Sequence, residues 1–257
     1  KKMKNLQVLF EVDKQKKETE IYRLKNIELA QLNTEKNEFL GIAAHDLKNP
    51  LTGIILTTSI IRRNIDKFSK DEFLKRISKI ELTAERMQLI IKNMLDINAI
   101  EQGKLNLHIE EFDIILLVKK IADEYSHAAS EKNIKINFES PEEKVLLKTD
   151  GSSLTEILEN LLSNALKYSV QGKSVFVKVV KEEGKAVIEI KDEGLGFSEE
   201  DKKNVFQKFA RLSAKPTGGE HSTGLGLSIV KKLTDILGGE ITFSSEQGKG
   251  TTFKLTF

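Results

Sequence analysis

The sequence predicts a multidomain α plus α/β protein. A dimeric helical hairpin, closing into a four-helix bundle, precedes an α/β sandwich with a mixed, largely antiparallel sheet. Three observations predict this. Leu40, Ala44, Leu47, Leu51, Ile54, Thr58, Ile61, Ile65 and Phe68 alternate four and three residues apart, and Phe73, Ile77, Ile80, Ala84, Met87, Ile91 and Met94 repeat the pattern; both are heptad seams. Ser69-Lys-Asp-Glu72 between them has the spacing of a capping box. From about residue 104 the period changes, and short strand-like runs alternate with helical stretches.

Residues 1–38 are polar, helix-prone and free of Gly and Pro. Ile21, Leu24, Ile27 and Leu32 suggest a stripe that the charged segment 13–20 interrupts, so this part reads as a linker helix or imperfect coiled coil. The hairpin is expected over 39–103, with Gly103 as its stop. One apolar stripe per helix is poorly covered by a single hairpin, and pairing two hairpins solves that, which predicts a homodimer. The third region, 104–257, should hold strands at 105–109, 135–138, 145–149, 174–180, 186–191, 240–244 and 251–257. Its helices are expected near 113–131, 152–168, 199–208 and 226–238. Glu183-Gly184 suits a hairpin turn.

Composition narrows the function. With 41 basic against 39 acidic residues, no nucleic-acid groove is expected. The absence of cysteine excludes disulfides and thiolate metal sites. Four scattered histidines do not suggest a metal cluster, and no apolar run reaches the roughly 20 residues of a membrane span. The chain opens on Lys1 rather than Met, so a fragment of a longer protein is expected, cytoplasmic itself, with a parent that could be membrane-anchored and an upstream sensor domain outside this chain.

Two constellations carry chemistry. In Phe39-Leu-Gly-Ile-Ala-Ala-His45-Asp46-Leu-Lys-Asn49-Pro50-Leu51, Ala44 and Leu47 point along the seam. His45 is therefore rotated about 100° off it, towards solvent, with Lys48, Asn49 and Thr52 on the same side. Asp46 could accept from one ring nitrogen and leave the other as a lone-pair nucleophile. Pro50 should kink the helix beside the histidine. Downstream, Glu156, Asn160, Asn164 and Lys167 recur on one helix side, opposite Leu154, Ile157, Leu158, Leu161 and Ala165. Amide oxygens suit Mg²⁺, and a lysine one turn on can meet phosphate. Asp192-Glu-Gly194-Leu-Gly196 follows a strand; its glycines permit close backbone approach, and its carboxylate can accept from the exocyclic amine of adenine. Gly224-Leu225-Gly226-Leu opens a helix whose amide end suits a triphosphate. Neither the Rossmann fingerprint nor a G-x-x-x-x-G-K-[ST] loop is present. Between these elements, Val205-Phe206-Gln-Lys-Phe209-Ala-Arg211 leads into a Ser/Lys/Pro/Gly-rich stretch to Thr223 that suits a lid.

The first segment resembles the phosphoacceptor box of sensor histidine kinases, H-[ED]-x-x-[NT]-P-L. The later elements resemble, in order, the N, first-glycine, F and second-glycine boxes of that family's ATP-binding domain, a Bergerat-type fold shared with gyrase, Hsp90 and MutL. The resemblance covers about 38–257. It implies that His45 attacks the γ-phosphate of ATP with Asp46 as its base, and that Asn49 orients water for dephosphorylating the partner. It implies that Asn160 ligates Mg²⁺, with Asn164 and Lys167 near the phosphates. Tyr168 would lie by the nucleotide, Asp192 would read adenine within the Gly194 and Gly196 turn, and Arg211 would approach the γ-phosphate. Thr223, Gly224, Leu225 and Gly226 would enclose the triphosphate. Ser222 and Gln207 depart from the family's usual glycine and glutamate. The partner implied is an aspartate of a response-regulator receiver domain. Three rivals stand beside this reading: an ATPase sharing only the nucleotide fold, a non-catalytic dimeric scaffold, and a protein acting mainly as a phosphatase through Asn49.

Overall fold

The computed structural model describes residues 2–210, 212–218 and 224–257, with the side chains of 2–13, 32, 35, 38 and 39 left aside. The chain divides into two compact units, Lys1–Met87 and Gln88–Phe257.

The first unit is built from one long helix and most of a second. Helix α1 runs Lys2–Arg63, so the linker stretch and the first seam form one continuous helix, with Pro50 inside it. Arg62 and Arg63 occupy its last turn, where positive charge complements the helix dipole. A short 3₁₀ turn, Ile65–Lys67, leads to α2, Lys70–Glu101. The capping box forms as its spacing predicts: the Ser69 amide donates to Glu72 Oε2 at 3.1 Å and the Glu72 amide donates to Ser69 Oγ at 3.3 Å. These bonds hold the Glu72 carboxyl below its ordinary pKa. Several large apolar side chains stay open to solvent, among them Leu51, Ile55, Leu56, Leu74 and Leu82.

In the second unit α2 ends in a tight reversal, with the Lys104 amide donating to Ala99 O and Gly103 donating to Ile100 O. There follow β1 (Ile109–Asp113), α3 (Ile114–Glu131), β2 (Lys135–Glu139), β3 (Leu146–Asp150), α4 (Gly151–Tyr168), β4 (Ser174–Glu182), β5 (Lys185–Asp192), α5 (Glu199–Lys202), α6 (Gly226–Ile236), β6 (Glu240–Glu246) and β7 (Gly250–Thr256). Five strands form one sheet in the order β2-β4-β5-β7-β6, and β1 pairs with β3 separately. Only β2–β4 is parallel; the other neighbours in the large sheet are antiparallel. This is the mixed, largely antiparallel sheet that the sequence predicts.

Alternation along the strands sets which face is covered. Val175, Val177, Val179, Ile188, Ile190, Phe253 and Leu255 are buried, whereas Lys178, Lys191 and Glu182 on the other face are exposed. The buried row meets the apolar stripes of α3, α4 and α6, whose Leu154, Ile157, Leu158, Leu161, Ile229 and Leu233 are almost wholly buried. Removing one such side chain to alanine costs roughly 2–5 kcal/mol. The Glu183-Gly184 turn has φ of 50° and 83°, the left-handed pair that joins twisted strands most compactly.

Two elements differ from expectation. The strand expected at 105–109 begins at Ile109 instead, because the His108 amide is drawn out of any ladder by Asp150 Oδ2 at 2.7 Å. Asp150 is also the cap of α4, accepting the Ser153 amide at 2.7 Å. The helix expected over 199–208 stops at Lys202. At its start Ser198 and Asp201 form a capping box, and Asp201 also takes the Ser213 amide and hydroxyl. Those bonds hold its carboxyl below the ordinary range although burial opposes them.

Candidate functional site

On α1, His45 projects with 58% of its side chain exposed. Its Nδ1 lies 3.0 Å from Asp46 Oδ1. A carboxylate can only accept, so Nδ1 carries the proton and Nε2 keeps its lone pair. One turn later Asn49 Nδ2 lies 3.3 Å from Nε2. Imidazole, carboxylate and amide thus share one exposed face. Lys48 and Thr52 are exposed beside them, and Thr52 Oγ1 is turned back to donate to Lys48 O.

In the second unit α4 supplies the polar row. Asn160, Asn164, Lys167 and Tyr168 are all partly buried. Asn160 Nδ2 donates to Glu156 O at 2.9 Å, which fixes the amide and directs Oδ1 away from its own helix turn. What Oδ1 faces is the start of α6: a Cβ placed on Gly226 would lie 2.7 Å from it and 3.9 Å from Asn164 Nδ2. The space between the two asparagines and the N-terminus of α6 therefore exists because residue 226 has no side chain. Leu225 is fully buried and seats that helix start. The Lys167 ammonium stands 5.8 Å from the Tyr168 ring centroid.

The Asp192 turn closes the other side. Asp192 is 7% exposed, and its Oδ1 accepts amides from Gly194 at 2.8 Å and Thr251 at 3.2 Å. Both land on one oxygen, which leaves Oδ2 to receive another donor. Burial pushes this carboxyl up to about 6, with the two amide bonds pulling the other way. Gly194 lies so close to the end of α4 that a Cβ there would sit 2.5 Å from Tyr168 O, and Ser169 bridges to Gly194. Gly196 packs against Glu246 O.

The F-box aromatics divide their work. Phe206 stacks edge-on against Phe243, 5.7 Å between centroids. The Phe209 amide donates to Gly224 O at 2.9 Å. A Cβ on Gly224 would meet Phe209 Cα at 2.8 Å. Arg211, His221, Ser222 and Thr223 lie outside the described residues. The structure thus gathers Asn160, Asn164, Lys167, Tyr168, Asp192, Gly194, Gly224, Leu225 and Gly226 on one unit, with His45, Asp46 and Asn49 on the other.

Three features were not anticipated. Thr251 helps hold Asp192 through its amide, and Gly250 packs on the Asp192 carbonyl. The G-x-G-T sequence was the available signal. Glu156 neighbours the Asp96 carboxyl, and burial followed by that neighbouring carboxyl raises it to about 7. Thr217 docks on the end of α4. The last two depend on contacts between distant segments and leave no local pattern. Among the described residues no group of three or more His, Cys, Asp or Glu could hold a metal ion, so any metal at the asparagine pair would rest on amide and phosphate oxygens. No helix among them is long and apolar enough to cross a membrane.

Known proteins resemble this chain in sequence and in fold. Residues 35–103 match the His Kinase A (phospho-acceptor) domain, and residues 149–257 match the histidine kinase-, DNA gyrase B-, and HSP90-like ATPase family. The circadian input-output histidine kinase CikA of Synechococcus elongatus is 31% identical over 223 residues, which are 86% of this chain and 30% of that protein. The chain thus spans less than a third of that relative's length. Histidine kinase ThkA, solved in complex with response regulator protein TrrA, superposes with a TM-score of 0.65 at 22% identity, over 86% of this chain and 60% of that one. ShkA, solved full-length in complex with AMPPNP, gives 0.61 at 24% identity, over 85% and 45%. With a phospho-acceptor domain and an ATPase domain in that order, the chain belongs to the two-component histidine kinases, of which it forms a catalytic core.

Proposed function

We propose that this chain uses ATP to phosphorylate His45 and passes the phosphoryl group to an aspartate of a response-regulator receiver domain. The observation that carries the reading is the Nδ1–Asp46 hydrogen bond, which leaves Nε2 as an exposed nucleophile. The boundaries proposed are a linker over 1–38, a phosphotransfer hairpin over 39–103 and a catalytic domain over 104–257.

Phosphoryl transfer asks mainly for positioning and charge neutralisation. Asp46 holds the imidazole in the nucleophilic tautomer and stabilises the charge that grows on the ring as Nε2 bonds to phosphorus. Asn49 donates to the same Nε2 in this conformation, so it must release that nitrogen before attack. From that position it can hold a water against a phosphorylated regulator, which supports phosphatase activity as a second output. In the catalytic domain Asp192 Oδ2 accepts from the adenine amine, and Lys167 and the amides opening α6 take phosphate oxygens. Arg211 is assigned to the γ-phosphate by its place in the sequence.

Mg²⁺ fits the site. The Asn160 oxygen is a hard donor of fixed direction, and the Gly226 space beside it would be filled by any Cβ. When bound, the ion would offset the negative charge of the phosphates. Asn160 would hold it and Asn164 would stand beside it.

The exposed Leu51, Ile55, Leu56, Leu74 and Leu82 support pairing of two hairpins into a four-helix bundle. A receiver domain as partner is supported by the TrrA complex of ThkA, and ATP by the AMPPNP complex of ShkA. A cytoplasmic location is proposed to go with those two substrates. Peptide mapping at neutral pH after incubation with Mg·ATP tests the reading. Phosphate should be found on the peptide containing His45; phosphate confined to any other peptide overturns it.

A further inference from the structure

We infer that Thr217 is a positioning residue for the nucleotide, latching its loop onto the carbonyl end of α4. The inference rests on reading Lys167 and Tyr168 as nucleotide-facing. The last carbonyls of a helix have no partner within it, and α4 fills its own by tertiary contacts. Lys132 Nζ reaches Leu166 O at 3.2 Å. Thr217 takes the next: its amide donates to Lys167 O at 3.0 Å, and its hydroxyl reaches Ser169 O at 2.7 Å and Lys167 O at 3.1 Å.

Those carbonyls flank Tyr168, and the same short stretch is the one against which the Asp192 turn is built. Ser169 bridges to Gly194, and Tyr168 O lies where a Gly194 side chain would be. Thr217 therefore joins three parts through one piece of backbone: its own loop, the helix end bearing Lys167 and Tyr168, and the turn bearing Asp192. Described residues on either side are held too: the Phe209 amide donates to Gly224 O, and Ser213 donates to Asp201 through its amide at 2.9 Å and its hydroxyl at 2.5 Å. Pro216, just before Thr217, limits the backbone freedom that docking must remove. Thr217 is one described point at which this loop reaches α4.

The hydroxyl is the part of the latch that substitution can remove while leaving the backbone amide bond. Thr217→Val keeps the shape and loses it; Thr217→Ser keeps it. The experiment uses the full chain with Mg²⁺. Release of a fluorescent ATP analogue is followed by stopped flow, and labelling of His45 is followed across ATP concentrations. Loss of a hydrogen bond of ordinary strength predicts release about three- to tenfold faster in T217V, with a matching rise in half-saturating ATP. The labelling rate at saturating ATP should stay within about twofold, and T217S should follow the wild type. T217V releasing nucleotide at the wild-type rate would overturn the inference, as would T217S failing equally. A melting temperature and saturated rate that fall together, with release unchanged, would mark a structural role and overturn it too. If wild type binds ATP and labels His45 while T217V is unchanged, the inference fails alone; if wild type binds no ATP, the nucleotide reading itself has failed.

Discussion

Asp192→Asn should strengthen the folded chain while weakening its hold on ATP, and the two effects have one origin. Burial raises the Asp192 carboxyl from 3.8 to about 6, a shift equivalent to about 3 kcal/mol between its protonation states. A carboxyl whose folded pKa lies above its unfolded value favours the folded state below the unfolded pKa. That advantage is lost as pH rises from about 3.8 through about 6. At neutral pH the ionised group is therefore a net cost, and an uncharged amide removes part of it. Asn can still accept the Gly194 and Thr251 amides through its oxygen, so the turn is retained. What it then presents at the Oδ2 position is an NH₂ group, a donor facing the adenine amine, which is also a donor. A missing hydrogen bond with a buried group left unpaired costs about 1.5–3 kcal/mol, or roughly ten- to a hundredfold in Kd. Calorimetric titration with Mg·ATP between pH 5.5 and 8 checks this, beside thermal melts of the nucleotide-free chain. Wild-type affinity should fall as pH drops through about 6, because the protonated carboxyl is likewise a donor there; D192N should be flat. GTP, whose exocyclic carbonyl oxygen accepts at that position, should lose less than ATP in D192N. Equal ATP affinity in both chains at pH 7.5, or D192N melting well below wild type, would refute the reasoning.

Further outcomes follow from other contacts. Glu156, raised from 4.5 to about 7 by burial and then by the Asp96 carboxyl, should make the wild type less stable as pH rises from about 4.5 to 7. Its partial exposure reduces the nominal 3 kcal/mol to about 1 kcal/mol. Urea unfolding at pH 5 and pH 8 should show Glu156→Gln gaining about that much at pH 8 only, and no gain there would contradict it. Gly226→Ala places a methyl 2.7 Å from Asn160 Oδ1, so nucleotide binding should fall at least tenfold by titration. Far-UV circular dichroism should stay unchanged, and wild-type affinity in this variant would dissolve the proposed cradle.

The sequence was readable where one residue's chemistry and a local period agree. The α4 stripe, the Ser69–Glu72 cap and the Glu183-Gly184 turn all follow from neighbours within a few positions. It misled where a distant side chain intervenes. Asp150 captures the His108 amide and delays β1, and the short α5 is tied through Asp201 to Ser213, twelve residues on. Asn160, Asp192 and Gly226 were visible as residue types with a chemistry. Their mutual setting was not, because the Gly226 space and the Thr251 amide are made by elements far apart in the chain. The Asp96–Glu156 contact and the Thr217 latch have no sequence signal at all, since each joins segments of unremarkable composition.

The central claim is that this chain carries a phosphorylated histidine at residue 45. Incubation with γ-labelled ATP and Mg²⁺, followed by acid and by alkali, tests it most directly when wild type and His45→Gln are run side by side. The account predicts a label on wild type that survives alkali and is lost in acid, and none on the variant, which still binds ATP. A wild type that takes no label yet hydrolyses ATP at the same rate as the variant would contradict it, leaving the nucleotide site in service of a different reaction.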